Sequence, residues 1–163
     1  MCRRGQRSYK DVFGAVVITL ATPAETRAFG VRLAAVLRPG DLIILNGPLG
    51  AGKTALTQGI GIGLGVSGDV TSPTFVISRV HRGPLPLVHV DAYRLRTVEL
   101  DDLDLDASLE DSVTVVEWGH GVVERLSDSF LEIIIDREPD DTRVVTLNAH
   151  GGTWPDRLKD LAH

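Results

Sequence analysis

The chain has 163 residues, of which 43% are hydrophobic and 24% charged, and its net charge is −5, the make-up of a soluble globular protein near the size of one domain. An acidic balance of this kind supplies no overall basic field for a polyanion, so any role with nucleic acid is expected to be indirect. The single cysteine, Cys2, excludes a disulfide or a cysteine zinc site built within one chain, and no apolar run approaches the roughly 18 residues of a membrane-spanning helix; a cytoplasmic protein without membrane contact is expected.

Residues 1–14 read as a flexible extension. Their basic stretch followed by Phe13 to Ala21 loosely resembles a secretory signal, a reading set aside because the apolar part reads as a strand feeding the next helix. Val16-Val17-Ile18-Thr19-Leu20 is that strand. In "TPAE", Thr22 offers a hydroxyl cap, Pro23 fits the first helical position and Glu25 completes a capping box, so a helix starts here. Phe29, Leu33, Val36 and Leu37 recur at helical spacing until Pro39-Gly40 stops the segment. Asp41 to Asn46 forms the next strand, and after a glycine-rich stretch a helix runs from about Lys53 to Leu64. "TFVISRVH", "LPLVHVD", "VTVVEW", "FLEIIID" and "TRVVTLNA" then read as strands, and Trp154 to Leu161 as a short closing helix. This order predicts an α/β fold with a central, largely parallel sheet and antiparallel additions toward the C-terminus, in a single domain over residues 15–163. Gly65 to Pro73 and Thr97 to Asp111 are the expected working loops.

Gly47-Pro48-Leu49-Gly50-Ala51-Gly52-Lys53-Thr54 matches G-x-x-x-x-G-K-[ST] at every fixed position, between a strand and a helix. In that context the backbone N–H groups and the helix N-terminus form an anion cradle. Lys53 reaches the outer phosphates of a nucleotide, and the Thr54 hydroxyl takes one place around Mg²⁺. The match predicts a P-loop NTPase-like three-layer sandwich.

Carboxylates are then needed where a metal or an attacking water sits. "LVHVDAYR" ends an apolar run with Asp91 and "VTVVEWG" ends another with Glu117, both where an α/β sheet delivers ligands at the carboxyl ends of its strands. Either acid suits Mg²⁺, which prefers oxygen ligands; either also suits a plain strand end, and periodicity does not separate their roles. "VTSPTF" groups Thr71, Ser72 and Thr74 around Pro73, as a phosphate-sensing switch or as an ST-turn. His89 lies two residues before Asp91 and reads as a core histidine or as a hydrogen-bonding group near the site. Arg94 reads as a phosphate-charge stabiliser or a surface ion-pair partner, Trp118 as a core side chain or a cover for a nucleotide ring. In "ELDDLDLD", Leu100, Leu103 and Leu105 interrupt the charges and suggest a packed or partner-facing segment.

Together "GPLGAGKT", "TSPTF", "HVDAYRL" and "VEWG", in this order and at these separations, resemble the TsaE (YjeE) family over residues 17 to about 136. The first motif is common to many nucleotide-binding proteins, whereas its combination with "SPTF" and "HVDAYR" is specific. The resemblance implies a cytoplasmic ATPase that binds ATP and Mg²⁺, hydrolyses ATP weakly alone, and acts with the TsaB and TsaD subunits in threonylcarbamoyladenosine modification of tRNA. It implies phosphate contacts at Gly47, Gly50, Ala51, Gly52, Lys53 and Thr54, and Mg²⁺ at Thr54 and Glu117. Asp91 stands near the metal and the attacking water, residues Thr71, Ser72 and Thr74 form the switch, and Thr22 approaches the nucleotide base. Lys53, Asp91 and Glu117 are the implied catalytic set. Rival readings meet specific obstacles: a GTPase would carry N-K-x-D, which is absent, and a D-x-x-G at Asp91, which no glycine follows there; a small-molecule kinase would carry an arginine-rich lid, and no stretch with several arginines lies in the expected region after Glu117. A nucleotide-gated binding module without hydrolysis remains open.

Overall fold

A computed structural model describes residues 16–48, 50–68, 70, 78–91, 110–117, 128–159 and 161. In chain order its elements are β1 (Val16–Leu20), α1 (Pro23–Ala34), β2 (Leu42–Asn46), α2 (Lys53–Leu64), β3 (Ser78–His81), β4 (Leu87–Asp91), β5 (Val113–Glu117), β6 (Phe130–Arg137), β7 (Arg143–His150) and α3 (Trp154–Lys159).

The strands form one seven-stranded mixed sheet in the order β1-β7-β6-β2-β5-β4-β3. Its centre, β6-β2-β5-β4, is parallel, and the pairs β1-β7, β6-β7 and β3-β4 are antiparallel. The antiparallel additions therefore lie at both edges rather than only toward the C-terminus. A link of five residues between β3 and β4 is too short for a parallel crossover, which needs a dozen or more, so this pair had to fold back on itself.

β2 shows why the centre holds. Leu42, Ile43, Ile44 and Leu45 are all buried, the near-continuous apolar run of a strand covered on both faces. Ile43 and Leu45 join Val113, Val115, Leu131, Ile133 and Ile135 in one core with Phe29, Leu33, Leu56 and Ile60 of the two long helices. Ile44, Val88, Val90 and Val116 alternate to the opposite face and are buried as well.

α1 begins as its sequence dictates: the Thr22 hydroxyl accepts the Glu25 N–H at 3.1 Å and a Glu25 carboxylate oxygen accepts the Ala21 N–H at 2.6 Å. The helix ends at Ala34, earlier than the apolar spacing suggests. Ala35, Val36 and Leu37 instead donate to carbonyls three residues back, a tightened last turn before Arg38, which Pro39 drives out of helical geometry. Asp41, expected in β2, is also diverted. Its carboxylate accepts the Arg38 N–H at 2.6 Å and holds Arg157 of α3 at both oxygens, at 2.6 and 3.0 Å. Arg157 in turn lies 3.9 Å over the Trp154 ring and donates to the Val36 carbonyl, fastening α3 to the far side of the chain.

α1 and α2 run side by side in the same direction. A Cβ at Gly30 would stand 2.5 Å from the Leu56 carbonyl oxygen and 2.8 Å from the Ile60 nitrogen, and one at Gly59 would overlap the Arg27 carbonyl. Glycine at these contacts lets the two backbones touch, which brings both helix N-termini to one end of the sheet.

Candidate functional site

The loop after β2 gathers the pieces of an anion site. Gly47 passes so close to β6 that a Cβ there would lie 2.6 Å from the Ile135 carbonyl oxygen, and Gly50 and Gly52 take φ of +80° and +110°. Left-handed residues at these steps turn the loop back onto the start of α2, a conformation L side chains adopt only with strain. Gly52 is the N-cap of α2 and offers its first-turn N–H groups no side-chain acceptor, which suits an external anion at the positive end of the helix. Ala51 is fully buried beneath the loop.

Lys53, the first residue of α2, is 7% exposed, and its Nζ donates to the Gly47 carbonyl at 2.7 Å. The ammonium is thereby held across the mouth of the loop it belongs to. Thr54 follows it on α2, half-buried.

Glu117 closes β5 and is 4% exposed; in the parallel ladder it stands opposite Leu45 of β2 and Asp91 of β4. The fold thus sets the two predicted acids in neighbouring strands at one level, two strand positions from the loop. His89 is completely buried, and its Nε2 lies 3.5 Å from a Glu117 carboxylate oxygen. It is both a core histidine and a neighbour of the site acid, so the two sequence readings are not exclusive. His81, on β3, is held below the ordinary histidine pKa first by burial and then by the charges of His89 and Arg79.

Thr22 and Thr26 stand at the start of α1, beside the start of α2: the Thr26 methyl lies 3.8 Å from where a Gly52 Cβ would be. On the same side is a feature that sequence reasoning missed. β6 continues past the end of β2, and the turn that joins it to β7 rises beside the loop with Arg137 and Arg143 at its base. Arg143 donates to the Gly50 carbonyl at 3.5 Å and to the Asp141 carbonyl at 2.6 Å. Asp141 accepts from Arg137 at 2.7 Å, a bond that holds its carboxyl below the usual carboxylate range. Some ninety residues separate these arginines from the loop, and only the strand register brings them there.

The donor set fits a polyphosphate with Mg²⁺: backbone and ammonium donors for phosphate oxygens, a threonine hydroxyl and carboxylate oxygen for a hard cation. Among the described residues no group of three His, Cys, Asp or Glu clusters as a metal site, so phosphate and water oxygens would complete such a coordination shell. Thr71, Ser72, Thr74, Arg94, Trp118 and the acidic stretch around Leu103 lie outside the described residues. A cleft of ≈ 450 Å³ between Arg27, Gln58 and Ile62 shares no lining residue with the loop or the acids.

Three kinds of comparison bear on this site. The family model of "Threonylcarbamoyl adenosine biosynthesis protein TsaE" matches residues 20–145. A "tRNA threonylcarbamoyladenosine biosynthesis protein TsaE" from Streptomyces coelicolor is 59% identical over 138 residues, 78% of this chain and 93% of its own. Proteins of the same description from Mycobacterium bovis and Bacillus subtilis are 45% and 42% identical, over 88% and 86% of this chain and 93% and 89% of theirs. The crystal structure of Bacillus subtilis YdiB superposes with a TM-score of 0.78 at 36% identity, covering 91% of this chain and 94% of that one.

Proposed function

Since the chain belongs to the TsaE family, we propose that it is a P-loop ATPase of a three-layer sandwich fold, which binds ATP with Mg²⁺ and hydrolyses it in support of threonylcarbamoyladenosine biosynthesis on tRNA. The observation that carries the reading is the buried Lys53 ammonium, fixed 2.7 Å from the Gly47 carbonyl at the head of α2, with the Glu117 carboxylate ending a nearby strand. Roles follow from the chemistry of each group. The N–H groups of the loop, from Gly47 through Gly52 to Thr54, hold phosphate oxygens, and Lys53 adds the mobile positive charge for the outer ones.

Thr54 and Glu117 would hold Mg²⁺, which supplies charge neutralisation on the phosphate oxygens when bound. Asp91, level with Glu117 in the next strand, serves the metal shell or orients the attacking water. Residues Thr71, Ser72 and Thr74 form the segment that responds to the outer phosphate. Hydrolysis is weak until the TsaB and TsaD subunits bind, and tRNA is reached only through those partners, in line with the net charge of −5.

Phosphate release is the direct test, with and without Mg²⁺ and with and without the TsaB and TsaD subunits. Slow Mg²⁺-dependent release that the partners accelerate, and that Lys53→Ala abolishes, is expected. Unaltered turnover in Lys53→Ala would remove the nucleotide from this loop, and release indifferent to the partners would leave a self-contained hydrolase or kinase.

A further inference from the structure

The core face of the sheet turns polar at one spot beneath the site. Along β5, Val113, Val115 and Glu117 alternate to the face that packs on α1 and α2, and along β4 so do Leu87 and His89. In the parallel ladder His89 pairs with Val115, which puts it diagonal to Glu117 and one step deeper below the carboxyl end of the sheet. An aliphatic side chain would suit that position, as it does at Leu87 and Val115. The chain instead places an imidazole there, with no exposed surface and no hydrogen bond at either nitrogen.

A buried polar group without a partner is a liability, and one kept in a dry core calls for a reason. The imidazole of His81 on β3 does not supply it, since its Nε2 is unbonded as well. The Glu117 carboxylate does. One of its oxygens lies 3.5 Å from His89 Nε2. A well-formed N–H···O bond measures about 2.9 Å, so a shift of roughly half an ångström closes the contact. Glu117 also stands to gain from it. A long carboxylate side chain aims one oxygen at a cation only when its remaining freedom is restrained, and metal-holding carboxylates are themselves hydrogen-bonded for this reason.

Resting on the reading of ATP with Mg²⁺ above, we infer that His89 is a positioning residue for that site: its Nε2–H donates to the Glu117 oxygen that faces it and so aims the other oxygen at the cation. His89 itself touches neither nucleotide nor metal. It acts through Glu117, and the depth that hides it from solvent spares its hydrogen bond the competition of water.

Calorimetric titration of the full chain with a non-hydrolysable ATP analogue, in Mg²⁺ and in EDTA, reads the site by binding rather than by turnover. The ratio of the two affinities is the Mg²⁺ enhancement. His89→Leu fills the core without a donor. It should lower that enhancement on the order of tenfold, leave the affinity in EDTA unchanged, and keep or raise the thermal midpoint, since it removes two unbonded nitrogens. His89→Gln brings an amide N–H close to where Nε2 stands and should restore most of the enhancement, whereas the shorter His89→Asn should not. The inference is overturned by an enhancement intact in His89→Leu, by a His89→Gln no better than His89→Leu, or by an equal loss in Mg²⁺ and in EDTA; each would leave the ATP reading in place. A wild-type chain that binds no nucleotide, or binds it equally well with and without Mg²⁺, would overturn that reading itself and the inference with it.

Discussion

Glu117 is a nearly buried carboxylate that lies 3.5 Å from the fully buried His89, and neither imidazole nitrogen of His89 makes a hydrogen bond. Burying an acid beside such a group has a purpose if a cation completes the cluster, so Glu117→Gln, which keeps shape and removes charge, should lower Mg²⁺-dependent phosphate release on the order of 100-fold while nucleotide binding without Mg²⁺ holds. Full turnover in that variant would make the acid structural. His81 supports a second prediction at this scale. Its folded pKa lies below 6.5, so the unfolded chain binds the proton more readily. Stability is therefore complete above about pH 6.5 and is lost as the pH falls from there toward the lower folded value. Urea midpoints at pH 7.5 and 5.5 should fall further apart for the wild type than for His81→Asn; an identical pH dependence would show that the burial of His81 is not felt.

α1 and α2 explain a pattern the sequence displays without its meaning. Gly59, Gly61 and Gly63 sit inside a helix, where each is unfavourable by about 1 kcal/mol relative to alanine. A Cβ at Gly59 would overlap the Arg27 carbonyl and one at Gly63 the Ala34 methyl, while at Gly61 it would come within 2.7 Å of a Val70 methyl. Contact outweighs propensity because the atoms met at Gly59 are backbone and have nowhere to go. Gly59→Ala should then destabilise by about 1–3 kcal/mol despite its better propensity, and lower the thermal midpoint by several degrees. A raised midpoint would mean the helices part easily. Elements set by local chemistry were legible in advance: the Thr22–Glu25 cap, the buried β2 run and the glycine–lysine loop each carry their signal within a few residues. What depends on register was not. No local signal singles out Arg137 and Arg143, which reach the loop only because β6 overruns β2, and Asp41 reads as the first strand residue until Arg157 arrives from α3.

Every strand from β1 to β7 hydrogen-bonds into one sheet, and residues far apart in sequence are neighbours in it: Val16 pairs with Leu147, Leu45 with Glu117. The candidate site draws on the loop after β2, the start of α1, the end of β5 and the β6–β7 turn, so a bound nucleotide would fasten pieces from most of the chain's length. α3 is held by the same logic through the Asp41–Arg157 pair, whose two side chains are only 9% and 10% exposed. A molecule wired in this way should unfold as one cooperative unit, with far-ultraviolet circular dichroism and tryptophan fluorescence giving coincident transitions. Ligand linkage then acts on the whole. A ligand that binds the folded state alone, at a hundred times its dissociation constant, adds about 2.7 kcal/mol, which for a chain of this size raises the midpoint by roughly 5–10 °C. ATP with Mg²⁺ should shift both probes together by that amount, and should shift neither in Lys53→Ala, where the fold persists but the ammonium that meets the outer phosphates is gone. Two separate transitions, or a shift confined to one probe, would divide the chain into independent units; a shift that survives in Lys53→Ala would place the nucleotide somewhere other than the loop at the head of α2.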